Sequence, residues 1–212
     1  MAGTTELQKA LAEISAIRDQ LARGMEFRGY GPRTLAGTGI LALLAAAAQA
    51  LWLRDPVHDV NAYLALWVGT AAVSLAIIAV ETFARARRVH SGLAMQLIHA
   101  ALEQFLPAIV AGLLLTVVLW RVAPQEVWLL PGVWQVLFSL GVFASCRFLP
   151  RPMFAVGLWY LAAGLGCLVV GAGPRALAPW LMGVPFGVGQ LLVAAVLQFG
   201  YHHGQRAEES GS

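Results

Sequence analysis

Charge is scarce in this chain. Asp, Glu, Lys and Arg make up 12% of its 212 residues, about half the share of a soluble domain. Hydrophobic residues account for 59%, and the mean hydropathy is +0.71. This balance excludes a soluble globular protein and places the chain in a membrane. Lysine is rarer still, because Lys9 is the one lysine among fourteen basic residues, a usage that fits a GC-rich bacterial genome. The two cysteines, Cys146 and Cys167, sit in apolar runs at different expected depths. They can build neither a disulfide framework nor a thiolate metal site. Thr4 to Arg23 lacks the continuous apolar core of a signal peptide.

Further absences narrow the chemistry. No histidine falls within an apolar run of spanning length, which excludes a haem held between membrane helices by paired histidines. No Gly-x-Ser-x-Gly elbow, His-Glu-x-x-His pair or phosphate loop occurs, so neither an enzyme nor a cofactor is expected. No Asp, Glu, Lys or Arg lies near the centre of an apolar run, where ion-coupled transporters place one. Glu81 comes nearest, at a run's boundary. The dispersed basic residues form no nucleic-acid surface, and no nucleic-acid partner is expected.

Six uncharged apolar runs remain, at about 35–53, 60–80, 105–120, 127–146, 153–172 and 178–198. Each is of a length to cross a bilayer as a helix, and short polar turns join them into three hairpins. The expected fold is therefore all-α: six transmembrane helices over 32–201, preceded by a cytoplasmic helix and joint (1–31) and followed by a tail (202–212). In Glu6 to Arg23, the residues Leu7, Leu11, Ile14, Ile17 and Leu21 recur at helical steps, giving one apolar stripe. A helix this short needs a surface to dock on: the lipid bilayer surface, the cytoplasmic face of its own protein, a second copy in a homo-oligomer, or a cytoplasmic partner. Leu93, Leu97, Ala101 and Phe105 lie four apart, so 89–104 reads as an interfacial amphipathic helix. Pro107 is expected to turn the chain into the third span.

Basic residues set the orientation. With the N-terminus inside, eleven fall on inner segments; Arg54, Arg121 and Arg175 fall outside. Trp52, Trp120, Trp128 and Trp180 gather at the outer ends as an aromatic belt. The expected location is a bacterial inner membrane with both termini cytoplasmic.

The sixth run is unusual. Gly183, Pro185, Gly187 and Gly189 precede Gln190 directly, which reads as an interrupted helix, tolerated in hydrocarbon only against protein or a cavity. Pro131 to Gln135 opens the fourth run with a similar pattern, and Gly-Val-x-Gln recurs at Gly132–Gln135 and Gly187–Gln190. Gln135 and Gln190 have two readings. They hydrogen-bond across helices, as buried amides do in membranes, or they face a shared cavity and orient a ligand while Gly183, Pro185, Gly187 and Gly189 give backbone access. At the cytoplasmic level, His99 and Glu103 are one helical turn apart, with His202 and His203 nearby. A solvated His–Glu pair is the expected reading, and no dedicated metal spacing is present. The functional expectation is a non-enzymatic membrane protein that binds or passes a small neutral or lipophilic ligand. The alternative is a sensor or scaffold acting through its cytoplasmic helices.

Overall fold

The computed structural model describes residues 31–89, 92–146 and 152–209, without side-chain detail for 85–102 and 199–209. The helix expected at Glu6–Arg23 lies outside the described residues. Six helices follow: α1 (Pro32–Trp52), α2 (Val60–Val89), α3 (Gly92–Val122), α4 (Leu130–Ser145), α5 (Met153–Val170) and α6 (Trp180–Glu209). Single 3-10 segments lie at Pro124–Leu129 and Gly173–Arg175, and no strand occurs among the described residues. Six helical stretches are long and apolar enough to cross a membrane, the fourth of them formed by Pro124–Leu129 together with α4. The protein is thus all-helical with six candidate membrane spans.

Local chemistry explains where the helices begin. Pro32 occupies the first turn of α1, where its missing N–H would have had no partner in any case. Asp59 accepts a hydrogen bond from the Ala62 amide at 3.2 Å, capping the start of α2. Between α5 and α6 the backbone takes positive φ at Gly173 (68°) and at Leu177 (56°). The glycine adopts that conformation freely, whereas leucine needs surrounding contacts to hold it.

Two expectations about prolines are corrected. The chain does not break at Pro107, which lies inside the continuous helix Gly92–Val122, so residues 92–104 and the third span share one helix. Nor is α6 interrupted, because it runs from Trp180 to Glu209 with Pro185 inside. A proline removes one backbone donor. Opening the helix further would strand more polar groups in hydrocarbon, each at a cost of several kcal/mol.

Packing is uneven. The most extensive interfaces join α1 to α6 and α4 to α5, followed by α3 with α4, α2 with α1 and α5 with α6. Both leading interfaces are antiparallel. Gly39 meets Gly187 and Gln190 while Ala46 meets Gly183, and Gly132 meets Gly164 while Phe143 meets Gly157. One buried cluster, Leu35, Met153, Val156, Tyr160, Val193, Ala194 and Leu197, lies toward the Pro32 end of the bundle. The other, Ala45, Tyr63, Trp67, Val127, Leu130, Leu177 and Met182, lies toward the Trp180 end.

A candidate site among uncharged buried groups

Every polar side chain buried among the described residues is uncharged: Thr38, Gln49, Thr82, Thr116, Gln135, Ser139 and Ser145. Most of these hydroxyls are satisfied within their own helix. Thr38 donates to the Leu35 carbonyl at 2.8 Å, Ser139 to Val136 at 2.7 Å, Ser145 to Gly141 at 2.9 Å and Thr116 to Gly112 at 2.7 Å. The two glutamines instead reach across helices.

Gln135 is fully buried, and its Nε2 donates to the Leu181 carbonyl at 2.7 Å. The reason lies four residues on from Leu181. In a regular helix the Leu181 carbonyl would accept from the amide of residue 185, but Pro185 has none. Gln135 supplies the missing donor from α4. The Cys167 thiol adds a weak donation to the same carbonyl at 3.4 Å. Gln135 thus satisfies the carbonyl that Pro185 leaves open.

Gln49 does the same at the entry to α6. Its Nε2 donates to the Leu177 carbonyl at 2.6 Å, and its Oε1 accepts from Trp67 Nε1 at 2.7 Å. Leu177 holds positive φ, and the Leu181 amide donates to Ala178 rather than to Leu177. The Leu177 carbonyl is thus freed by the turn and satisfied by α1. Sequence reasoning overlooked Gln49, although a lone amide in the Ala-rich run Ala45–Trp52 was the available signal.

The glycines singled out on α6 face packed neighbours. A Cβ at Gly183 would collide with the Cβ of Ala46, and one at Gly187 would lie 2.7 Å from the Leu43 side chain. At Gly189 it would collide with the ring and hydroxyl of Tyr160. Pro185 presents its carbonyl to Trp159, whose Nε1 donates at 3.0 Å. Gly39, Ala42 and Ala46 of α1 thus form the surface on which α6 lies, a close approach typical of membrane helices.

Gln190 is the exception. Its Oε1 is buried without a hydrogen-bond partner, as is the hydroxyl of Tyr160. Tyr160 is fully buried. Its ring packs at 4.6 Å from Phe138 and 5.4 Å from Phe186, and Phe105 packs 5.1 Å from Phe138. Tyr63 Oη and Thr82 Oγ1 also lack partners. An unsatisfied polar atom away from water costs about 1–3 kcal/mol, so these four atoms call for an explanation.

The structure separates the two candidate glutamines. Gln135 is engaged toward the Trp180 end, whereas Gln190 lies farther along α6 with its Oε1 unpaired. Glu103 is exposed, and the side chains of His99, His202 and His203 lie outside the described residues. Among the described residues no group of three His, Cys, Asp or Glu comes together to hold a metal. No protein-family model, curated protein or solved structure matches the chain.

Proposed function

We propose that this protein binds a small neutral or lipophilic ligand inside its helical bundle, without catalysing a reaction on it. One observation carries the reading: among the described residues the buried side-chain oxygens left without hydrogen-bond partners, Tyr63 Oη, Thr82 Oγ1, Tyr160 Oη and Gln190 Oε1, all belong to uncharged groups. A charged solute would find no counter-charge there, and its transfer into such a site would be prohibitive. Gln135, Gly183, Gly187 and Gly189 support the ligand indirectly, by fixing the helix that presents Gln190.

Native mass spectrometry of the full chain released from nanodiscs tests the reading. A retained neutral molecule, lost in a Tyr160→Phe, Gln190→Leu double variant, is the expected result. Retention of the same species by the double variant, or absence of any bound species, argues against it.

The same reading places both termini in the cytoplasm of a bacterial inner membrane, with the spans arranged as three hairpins. Eleven of fourteen basic residues then lie on inner segments. Reporter fusions at each terminus should both report cytoplasm. The scaffold alternative rests on Glu6–Arg23 as a docking helix. Removing residues 1–24 should leave oligomer mass and co-purifying proteins unchanged if the bundle itself carries the function, and should abolish partner capture if the scaffold reading holds.

A further inference from the structure

We propose that α2 and α3 seat one phospholipid, with its phosphate on Arg121 and an acyl chain along the seam between the two helices. The site lies apart from Tyr160 and Gln190 and does not rest on the ligand-binding reading.

The seam follows from how the helices pack. α2 packs on α1, α1 on α6, α6 on α5, α5 on α4 and α4 on α3. The succession stops there. Although α2 and α3 follow one another in the chain, they share no extended interface among the described residues. A hydrogen bond from Trp120 Nε1 to Asn61 Oδ1, at 3.0 Å, ties one end of the pair. Helical periodicity carries the Asn61 face of α2 through Val68, Ala72 and Leu75, and the Trp120 face of α3 through Leu113, Ile109 and Leu106. A closed pair of helices would bury these side chains against one another. Instead all but the half-buried Ile109 are exposed. Every one of them is apolar, so the uncovered faces suit a hydrocarbon chain.

The tied end of the seam carries a cation. The Arg121 guanidinium lies 4.5 Å from the centroid of the Trp120 ring, whose face attracts positive charge. Trp120 is itself held by Asn61, so the guanidinium is anchored where the two helices meet. Arg121 is exposed, and among the described residues no carboxylate lies within ion-pair distance of it. The acidic groups of the neighbouring turns are engaged elsewhere: Asp55 with His58, Asp59 with the Ala62 amide and Glu126 with Trp128. A guanidinium presents parallel N–H donors that match phosphate oxygens. Tryptophan settles at the depth of lipid headgroups, which is where a phosphate stands with its acyl chains running inward. A second copy of the chain would instead bring its own Arg121 to the same depth, like charge against like.

The experiment uses the full chain in nanodiscs and a phosphatidylglycerol bearing a diazirine in one acyl chain. Saturable labelling should map to Val60–Ala84 and Glu103–Val122. Unlabelled phosphatidylglycerol should compete about tenfold better than a diacylglycerol of the same chains, which keeps the apolar body and lacks the phosphate. Glycerol phosphate, which keeps the phosphate and lacks the chains, should not compete. Arg121→Gln should erase the preference for phosphatidylglycerol, and Asn61→Leu, which releases Trp120, should reduce it. Equal competition by the two lipids in the wild-type protein overturns the inference and requires no variant to fold. Labelling that no competitor reduces, spread over every exposed helix, shows bulk lipid only and overturns it as well. Displacement by glycerol phosphate assigns Arg121 to a soluble anion and removes the lipid. A cross-linked dimer joined through α2 and α3 places a second copy in the seam, and the inference fails. None of these outcomes involves Tyr160 or Gln190, so the ligand-binding reading stands or falls by its own test.

Discussion

Two kinds of helix share this bundle. In α1 and α6, a third to a half of the spanning residues are buried within the protein (33% and 50%), whereas α2 and α3 bury only 11% and 6%. The first kind meets its neighbours through glycine and alanine, with backbone close to backbone. The second presents Val68, Val73, Leu75, Ile77 and Val80, or Leu106, Val110, Leu113, Leu114 and Val117, to the surroundings. Water would penalise those surfaces heavily, but lipid is as apolar as leucine and supplies no drive to bury them. The apolar runs look alike in sequence because hydrophobicity serves insertion in all six. What distinguishes α1 and α6 is the placement of small residues.

The sharpest test of this contrast lies within one helix. Gly164 and Gly166 are two residues apart on α5. A Cβ at Gly164 would lie 2.9 Å from both the Gly132 carbonyl oxygen and the Val136 amide nitrogen, while one at Gly166 would meet nothing within 4 Å. Gly164→Leu should therefore cost about 3 kcal/mol or abolish assembly, since backbone cannot step aside. Gly166→Leu should stay within about 0.5 kcal/mol. Thermal unfolding followed by size-exclusion chromatography reads both, and equal losses would erase the distinction between packed and lipid-facing surfaces.

A smaller effect is expected from the clasp on α6. Gln135→Leu should cost about 1–2 kcal/mol by leaving the Leu181 carbonyl without its strong donor. Pro185→Ala returns a backbone amide to that position, so the double variant should recover most of the loss. A double-mutant cycle showing simple additivity would mean that Gln135 does not stand in for the missing amide.

Gly187→Leu should fall lower still. Its neighbour is the Leu43 side chain, which is 43% exposed and free to swing into lipid, so about 1 kcal/mol is expected with the fold retained. Loss of folded protein in this variant would extend the rigid seam farther along α6 than the contacts indicate.

The smallest effect lies in the turn between α1 and α2. His58 donates its backbone amide to Asp55 and pairs with it through Nδ1 at 2.8 Å. The side-chain hydrogen bond from His58 holds the Asp55 carboxyl below its ordinary value. A lowered carboxyl pKa stabilises the folded state above the unfolded carboxylate's titration range, and that contribution fades as pH falls below about 4. Both side chains are largely exposed, so solvent screens the pair. Asp55→Asn should leave the melting temperature at pH 7 essentially unchanged, and a drop of several degrees would reveal a structural role for the turn.

Much of this protein is legible in its sequence. Six uncharged runs had to become helices because hydrocarbon offers no partner for an open backbone. The candidate site was legible only in part. Gln135 and Gln190 stood out as lone amides in apolar sequence, but nothing in their spacing said that one would cap a carbonyl and the other would remain unpaired. Gln49, Tyr63 and Tyr160 were passed over, since Tyr and Gln are common near span ends and burial cannot be read from composition.

The prolines mark the boundary between the two kinds of information. From sequence alone, Pro107 and Pro185 remove one amide each, and that loss is certain. Neither helix breaks, and at Pro185 a glutamine fifty residues away takes up the freed carbonyl. The same holds for the glycines, which permit close approach at Gly164 and at Gly166 alike but are used only where another helix arrives. Hydrophobicity and backbone chemistry belong to each residue and can be summed along the chain. Partners across helices belong to the fold, because they exist only once the six spans have been brought together.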